Sequence, residues 1–261
     1  MISDGLSRYS NPIISADGSK VLTIRNQENL IYIDLIDELE ILLLTGGSFY
    51  TYYWIDSNQV YFYRKRNLGE REIGTVAINS LEKKILYSSL KKPEGYKKKI
   101  IPQIYGGRFI IYPDFSMRKV FRLEGDKEIE ITPDEGAYFR FLLSNDEQRL
   151  IIHKNDGLAY SYDFNGSGDH IPVANGLVTS WSQDDKYLLY FKDGGGESIS
   201  SGRISNPYSD IYLCKSNGDQ HQKITYTEDL SEYYPSWSSN SGKVSFRDGH
   251  NQIFIGNLKI K

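Results

Sequence analysis

The stretch "YPSWSSNSGKVSF" (Tyr234 to Phe246) is echoed upstream by "VTSWSQDDKYLLYF" (Val178 to Phe191) and again by "NPIISADGSKVLTI" (Asn11 to Ile24). Each copy is an apolar run, a short cluster of Ser, Asp, Asn and Gly, and a second apolar run. That is the pattern of two strands joined by a tight turn. Each copy is followed by a third run, of which "DIYLCK" (Asp210 to Lys215) is the clearest.

Aligning on Trp237 yields six units, with the same position held by Ile14, Trp54, Ile104, Leu143 and Trp181 at spacings of 40, 50, 39, 38 and 56 residues. The third strand recurs as "LIYIDL", "IGTVAIN", "KVFRLE", "LAYSYD", "DIYLCK" and "QIFIGN". A fourth follows in five units, as "EILLLT", "KKILYS", "EIEITP", "HIPVAN" and "QKITYT". Four strands per repeat of about 40–45 residues predict the blade of a β-propeller. "ADGS", "SNSG" and "SQDD" supply residues that tolerate positive φ, which two-residue hairpin turns need. Runs such as "YLLYF" and "RFIIY" are apolar at consecutive positions. A sheet covered on both faces requires this.

The expected fold is therefore all-β: a six-bladed β-propeller of four-stranded antiparallel blades, with residues 1–261 as a single domain. The sixth unit holds only three strands, and "MISDG" matches the end of a fourth, so Met1 to Ser3 are expected to join the last blade and close the ring. Closure removes exposed sheet edges. "LIDELEILLLTG" (Leu35 to Gly46) has the propensity of a short helix, but the repeat register makes it turn plus strand.

The chain resembles the TolB-type β-propellers in its phrase "PSWSxxxGKVSF", its "IY" third strands and its "LT"-like endings. Related repeats occur in the propeller domains of prolyl-oligopeptidase-type peptidases. The resemblance is sharp in the first, fifth and sixth units and looser in the others; the third has "YGGRF" in place of the turn phrase. It implies a six-bladed ring that binds other proteins, and no catalytic residue.

Composition narrows the function classes. A net charge of -3 argues against general nucleic-acid binding, which needs clustered cations. The chain is 39% hydrophobic and 25% charged, as soluble globular domains are. Its 21 Tyr favour strands. No stretch approaches the ~20 apolar residues of a membrane span. The N-terminus shows no apolar core after a basic start, so a cytoplasmic monomer is expected, an exported mature form being the alternative. The single cysteine, Cys214, reads as a small buried hydrophobe.

Alternation of strand direction sends the connections to two faces. Those joining strands two to three, and four to the next blade, carry every large insertion and form the expected functional face. "RKRNLGERE" (Arg64 to Glu72) and "KKPEGYKKK" (Lys91 to Lys99) together hold nine cations and three anions. "KDGGGESISSGRISNPYSD" (Lys192 to Asp210) and "TYTEDLSEYYP" (Thr225 to Pro235) hold six anions and two cations. Opposed across a ring, they would orient a charged partner. The expected contacts are Arg64, Lys65, Arg66, Lys97, Lys98, Lys99 and Arg203 for acidic groups, Glu228, Asp229 and Glu232 for basic ones, and Tyr96, Tyr208 and Tyr233 as apolar anchors. Solvated surface charge is the competing explanation.

"DFNGSGDH" (Asp163 to His170) partly matches a calcium loop, but Ala174 stands where the bidentate Glu belongs, so a hairpin turn is expected. The four histidines lack ligand spacing. "GGGES" lacks the Lys of a phosphate loop, and "GSG" is no nucleophile elbow. No cofactor, metal or catalytic set is expected. The leading expectation is a non-enzymatic scaffold that binds a protein or peptide through the long-loop face or channel mouth. A propeller hydrolase or lyase, or a sugar- or small-ligand-binding module at the channel, are the alternatives.

Overall fold

The computed structural model describes residues 9–66, 69–88, 104–105, 109–193, 208–227 and 230–258. Their strands form six antiparallel sheets, one per sequence repeat. The first sheet is β1 (Tyr9–Ile14), β2 (Lys20–Arg25), β3 (Asn29–Asp34) and β4 (Leu39–Thr45). The second is β5 (Ser48–Trp54), β6 (Gln59–Lys65), β7 (Arg71–Ala77) and β8 (Lys83–Ser88). The third is β9 (Ile104–Tyr105), β10 (Phe109–Asp114), β11 (Lys119–Glu124) and β12 (Lys127–Glu130). The fourth is β13 (Tyr138–Leu143), β14 (Arg149–Lys154), β15 (Leu158–Asp163) and β16 (His170–Asn175). The fifth is β17 (Leu177–Trp181), β18 (Tyr187–Asp193), β19 (Ser209–Lys215) and β20 (Gln222–Lys223). The sixth is β21 (Glu232–Trp237), β22 (Lys243–Asp248) and β23 (Ile253–Asn257), three strands among the described residues. The fold is a six-bladed β-propeller. The strand expected at Met1 to Ser3 lies outside the described residues. Leu35 to Glu38 form a turn and β4 follows, as the repeat register requires.

The chain divides into two compact units, Met1–Lys97 with Glu232–Lys261, and Lys98–Ser231. In the first, Leu22, Ile24 and Leu30 of sheet one pack on Tyr52, Val60, Phe62 and Val76 of sheet two. From the opposite face of sheet one, Tyr9, Ile14, Val21 and Ile31 pack with Ile253 of sheet six. Neighbouring residues Val21 and Leu22 thus enter different cores, which is why the second strands are continuously apolar. In the second unit Ile111 and Val120 of sheet three meet Leu150, Ile152 and Tyr162 of sheet four. Ile151 and Val173 of sheet four meet Trp181, Leu188 and Cys214 of sheet five. Cys214 is buried and its Sγ donates to the Val173 carbonyl at 3.5 Å; burial pushes the thiol up to about 12.

Two details differ from the sequence reading. In the third sheet Ile104 pairs with Ile111 and joins the core shared with sheet four, whereas Ile14 faces the preceding sheet. The repeat position is Tyr105, which pairs with Ile110 as Ile14 pairs with Val21. A slip of one residue exchanges the faces of a strand. The turns between first and second strands also span five residues in sheets one, four, five and six, not two.

These five residues explain the repeated phrase. The first is a buried serine: Ser15, Ser144, Ser182 or Ser238. In three turns its hydroxyl donates to an aspartate two residues on (Asp17, Asp146, Asp184) at 2.6, 2.7 and 2.8 Å and accepts the N–H that opens the next strand at 2.9 Å. The hydrogen bond from Ser15 leads the lowering of the Asp17 carboxyl to about 2. Gly18, Glu147 and Asp185 take the left-handed conformation at the fourth position, with φ of 71°, 57° and 54°. At Gly18 a Cβ would lie 2.2 Å from Ser241 Oγ, so the turn of sheet six can approach only a glycine there. The tryptophan position has its own reason. Trp54 and Trp181 donate their indole N–H to Ile13 and Leu142 of the preceding sheet, at 3.0 and 3.3 Å.

Candidate functional site

The innermost strands carry a second repeated device. Pairing slips by one residue in β1, β5, β13, β17 and β21, leaving a bulge near the start of each strand. The bulged Asn11, Arg140 and Tyr234 have φ of 45°, 48° and 53°. A bulge re-aims the side chain it carries, and a non-glycine residue in this region stores backbone strain of about 1–3 kcal/mol.

In the first unit this re-aiming builds a recess of about 390 Å³, lined by Ser10, Asn11, Gln27, Tyr52, Tyr234 and Arg247 among others. Tyr52 is buried, and its hydroxyl bonds to the Ser10 and Asn11 carbonyls at 2.8 and 2.9 Å, pinning the bulge of β1. The guanidinium of Arg247 lies 4.9 Å from the Tyr233 ring and 5.0 Å from the Tyr234 ring. Its Nη1 donates to the Asp248 carbonyl at 3.1 Å and to Asn251 Oδ1 at 3.0 Å. An adjoining recess of about 370 Å³ shares Gln27 and Ser48 with the first and is lined also by Gly47, Lys65 and Arg66. At Gly47, with φ of 101°, a Cβ would lie 2.4 Å from the Lys65 carbonyl, so the β4–β5 connection can lie this close to β6 only with glycine.

The residues singled out in the sequence fall into three groups. Lys65 is exposed at the end of β6, and Arg66, half-exposed, pairs with Glu70 at 3.8 Å and Glu72 at 3.4 Å. Tyr208 is 42% exposed just before β19 in the second unit, and Tyr233 stacks on Arg247. Arg64 and Glu232 are not loop residues: both lie in strands and are 4% and 1% exposed. Arg64 binds Glu72 through Nε at 2.9 Å and Nη2 at 2.8 Å, and Nη1 donates to the carbonyls of Thr45 and Gly46 at 2.9 and 3.1 Å. It positions the wall of the recess and presents no charge to a partner. Tyr96, Lys97, Lys98, Lys99, Arg203, Glu228 and Asp229 lie outside the described residues, and with them most of the expected charge opposition.

Arg247 was missed because it sits in a strand, where no loop signal applies. A signal existed: at the fifth position of the second strand, other repeats carry Ile24, Tyr63, His153 and Phe191. A cation in that column stands out.

The other titratable groups singled out are structural. The oxygens of Asp163, Asn165 and Ser167 accept from N–H groups of their own turn at 2.9 to 3.2 Å, so "DFNGSGDH" is a hairpin turn. His153 is buried, with Nε2 accepting the Val178 N–H at 3.0 Å and Nδ1 against the Arg140 carbonyl at 3.3 Å. That pairing fixes the neutral tautomer, and burial lowers its pKa to about 4. Among the described residues no three His, Cys, Asp or Glu side chains gather as metal ligands would, and no helix is long and apolar enough to cross a membrane.

No known protein family and no curated protein matches the chain. Solved structures do. TolB from Acinetobacter baumannii is similar over 97% of this chain and 64% of its own, at 14% identity and a TM-score of 0.59. The tricorn protease is similar over 96% of this chain and 25% of its own, at 14% identity and a TM-score of 0.59. An oligogalacturonate lyase from Vibrio parahaemolyticus is similar over 95% of this chain and 77% of its own, at 12% identity and a TM-score of 0.54. At such identities the likeness is one of fold: this chain shares the β-propeller architecture of TolB, of a protease and of a lyase.

Proposed function

We propose that this protein is a TolB-like, non-enzymatic propeller that binds a protein or peptide on the face formed by its second-to-third and sheet-to-sheet connections. The observation that carries the reading is the pair of adjoining recesses there, where Lys65, Arg66 and Arg247 lie among Tyr52, Phe49 and Tyr234. Arginine and tyrosine in concave, partly desolvated positions are typical anchors of protein interfaces. Cations at the rim govern association rate and salt dependence. Fold alone carries no chemistry, so the activities named for the lyase and the protease stay with those proteins.

The test is charge reversal at Lys65 and Arg66, leaving buried Arg64 intact. A partner captured by the wild type should be lost, or bound about tenfold more weakly with a flatter salt dependence, by Lys65→Glu/Arg66→Glu. Lys186→Glu, on an exposed turn between first and second strands, should bind normally. Equal capture by all three proteins would refute the assignment of this face.

A further inference from the structure

We infer that the Arg247 recess is a carboxylate-binding site that takes the acidic side chain or the C-terminal carboxylate of a peptide. The inference deepens the partner reading above by naming the group recognised. It rests on the state of one guanidinium. The two other arginines on second strands of this unit are neutralised within the fold, Arg25 by Glu40 and Arg64 by Glu72. Arg247 is not: its protein hydrogen bonds run from Nη1 to two neutral oxygens. Among the described residues its Nε is buried without an acceptor, as is that of Arg25. The side chain of neighbouring Asp248 faces its own turn, where Oδ1 accepts the N–H groups of His250 and Gln252 at 2.9 and 2.8 Å, and makes no ion pair with Arg247 among the described residues.

A buried N–H without a partner is destabilising. A guanidinium that lines a recess can give a carboxylate charge-assisted hydrogen bonds. The surroundings suit the same ligand. The Tyr233 and Tyr234 rings lie 4.9 and 5.0 Å from the guanidinium, contacts that restrict it before binding. Asn11, Gln27 and Ser10 offer amide and hydroxyl groups to a peptide backbone, and Phe49 and Tyr52 form an apolar wall. Of the charged residues lining the two recesses, Lys65, Arg66 and Arg247 are cations and Glu28 is an anion; with Arg66 paired to Glu70 and Glu72, Lys65 and Arg247 are the cations left to attract an acid.

Isothermal titration calorimetry at low salt with three N-acetylated Gly/Ser/Tyr peptides tests this. One ends in a free carboxylate and has no acidic side chain; one is amidated and carries a single internal Glu; one is amidated with Gln in its place. Either carboxylate peptide should bind at least tenfold more tightly than the Gln amide, and which one does assigns the terminus or the side chain. Arg247→Ala should abolish the difference, and Arg247→Lys should keep only part of it. Ser48→Glu, at an exposed rim position, should weaken binding without disturbing packing. Three indistinguishable peptides, or discrimination that survives Arg247→Ala and Ser48→Glu, would overturn the site. If Lys65→Glu/Arg66→Glu abolishes partner capture while Arg247→Ala does not, the carboxylate site falls and the docking face stands. The reverse result keeps the face and the carboxylate site and removes only the part given to Lys65 and Arg66.

Discussion

Arg64 and His153 show how much a single polar residue can decide inside such a fold. The Arg64–Glu72 pair is almost fully buried, and each partner has left water for the other. Removing one leaves an uncompensated charge in the interior, so Glu72→Ala should cost about 3–5 kcal/mol by urea denaturation. The double change Arg64→Met/Glu72→Leu should cost distinctly less, since it strands no buried charge and leaves only the Thr45 and Gly46 carbonyls and half-exposed Arg66 to find water. His153 acts through a proton it does not take. Its folded pKa, about 4, lies below the 6.5 of an exposed histidine, so between those values the unfolded chain binds the proton and the native one does not. Stability from this residue is complete above pH 6.5 and is lost as pH falls toward 4. The loss amounts to about 3 kcal/mol by linkage. His153→Leu should flatten the pH dependence of unfolding free energy across this window; an unchanged slope would count against the neutral tautomer.

At the scale of the element, the five-residue turn and the bulge do different work. In the turn a buried serine satisfies both a strand N–H and an aspartate, which makes the hairpin self-contained. Ser182→Ala should lower stability by about 1 kcal/mol and expose the Tyr187 N–H to early hydrogen exchange. Ile55 stands at this position in the second repeat and is 47% exposed, so Ile55→Ala should change stability little. The bulge spends backbone strain to point Asn11 and Tyr234 into one recess, which a regular strand would not do. The residues that line the recess are therefore supplied by the innermost strands as well as by loops.

At the scale of the molecule, strands pair in chain order within each sheet, while the first and last sheets meet in one compact unit. Ser238 Oγ donates to the Ala16 carbonyl at 2.7 Å across 222 residues of sequence, and Lys243 Nζ to Gly18 at 3.0 Å. Contacts so distant carry a large closure entropy and form late. Ser238→Ala should consequently speed unfolding with little change in the refolding rate, read from the two arms of a denaturant chevron. Slower refolding instead would place this contact in the folding nucleus.

Local chemistry was enough to reveal six repeats, the four-strand order, the turn positions and the rejection of a helix at Leu35 to Gly46. Turn residues and apolar runs act over a few neighbouring positions, and sequence displays those directly. Register and charge compensation act across sheets. Only the folded chain showed that the third repeat aligns on Tyr105, that Arg64 and Glu232 are interior, and that Arg247, placed in a strand, makes no ion pair among the described residues. Whether a charge is available to a ligand depends on which carboxylate the packing brings beside it, and tertiary structure alone makes that choice.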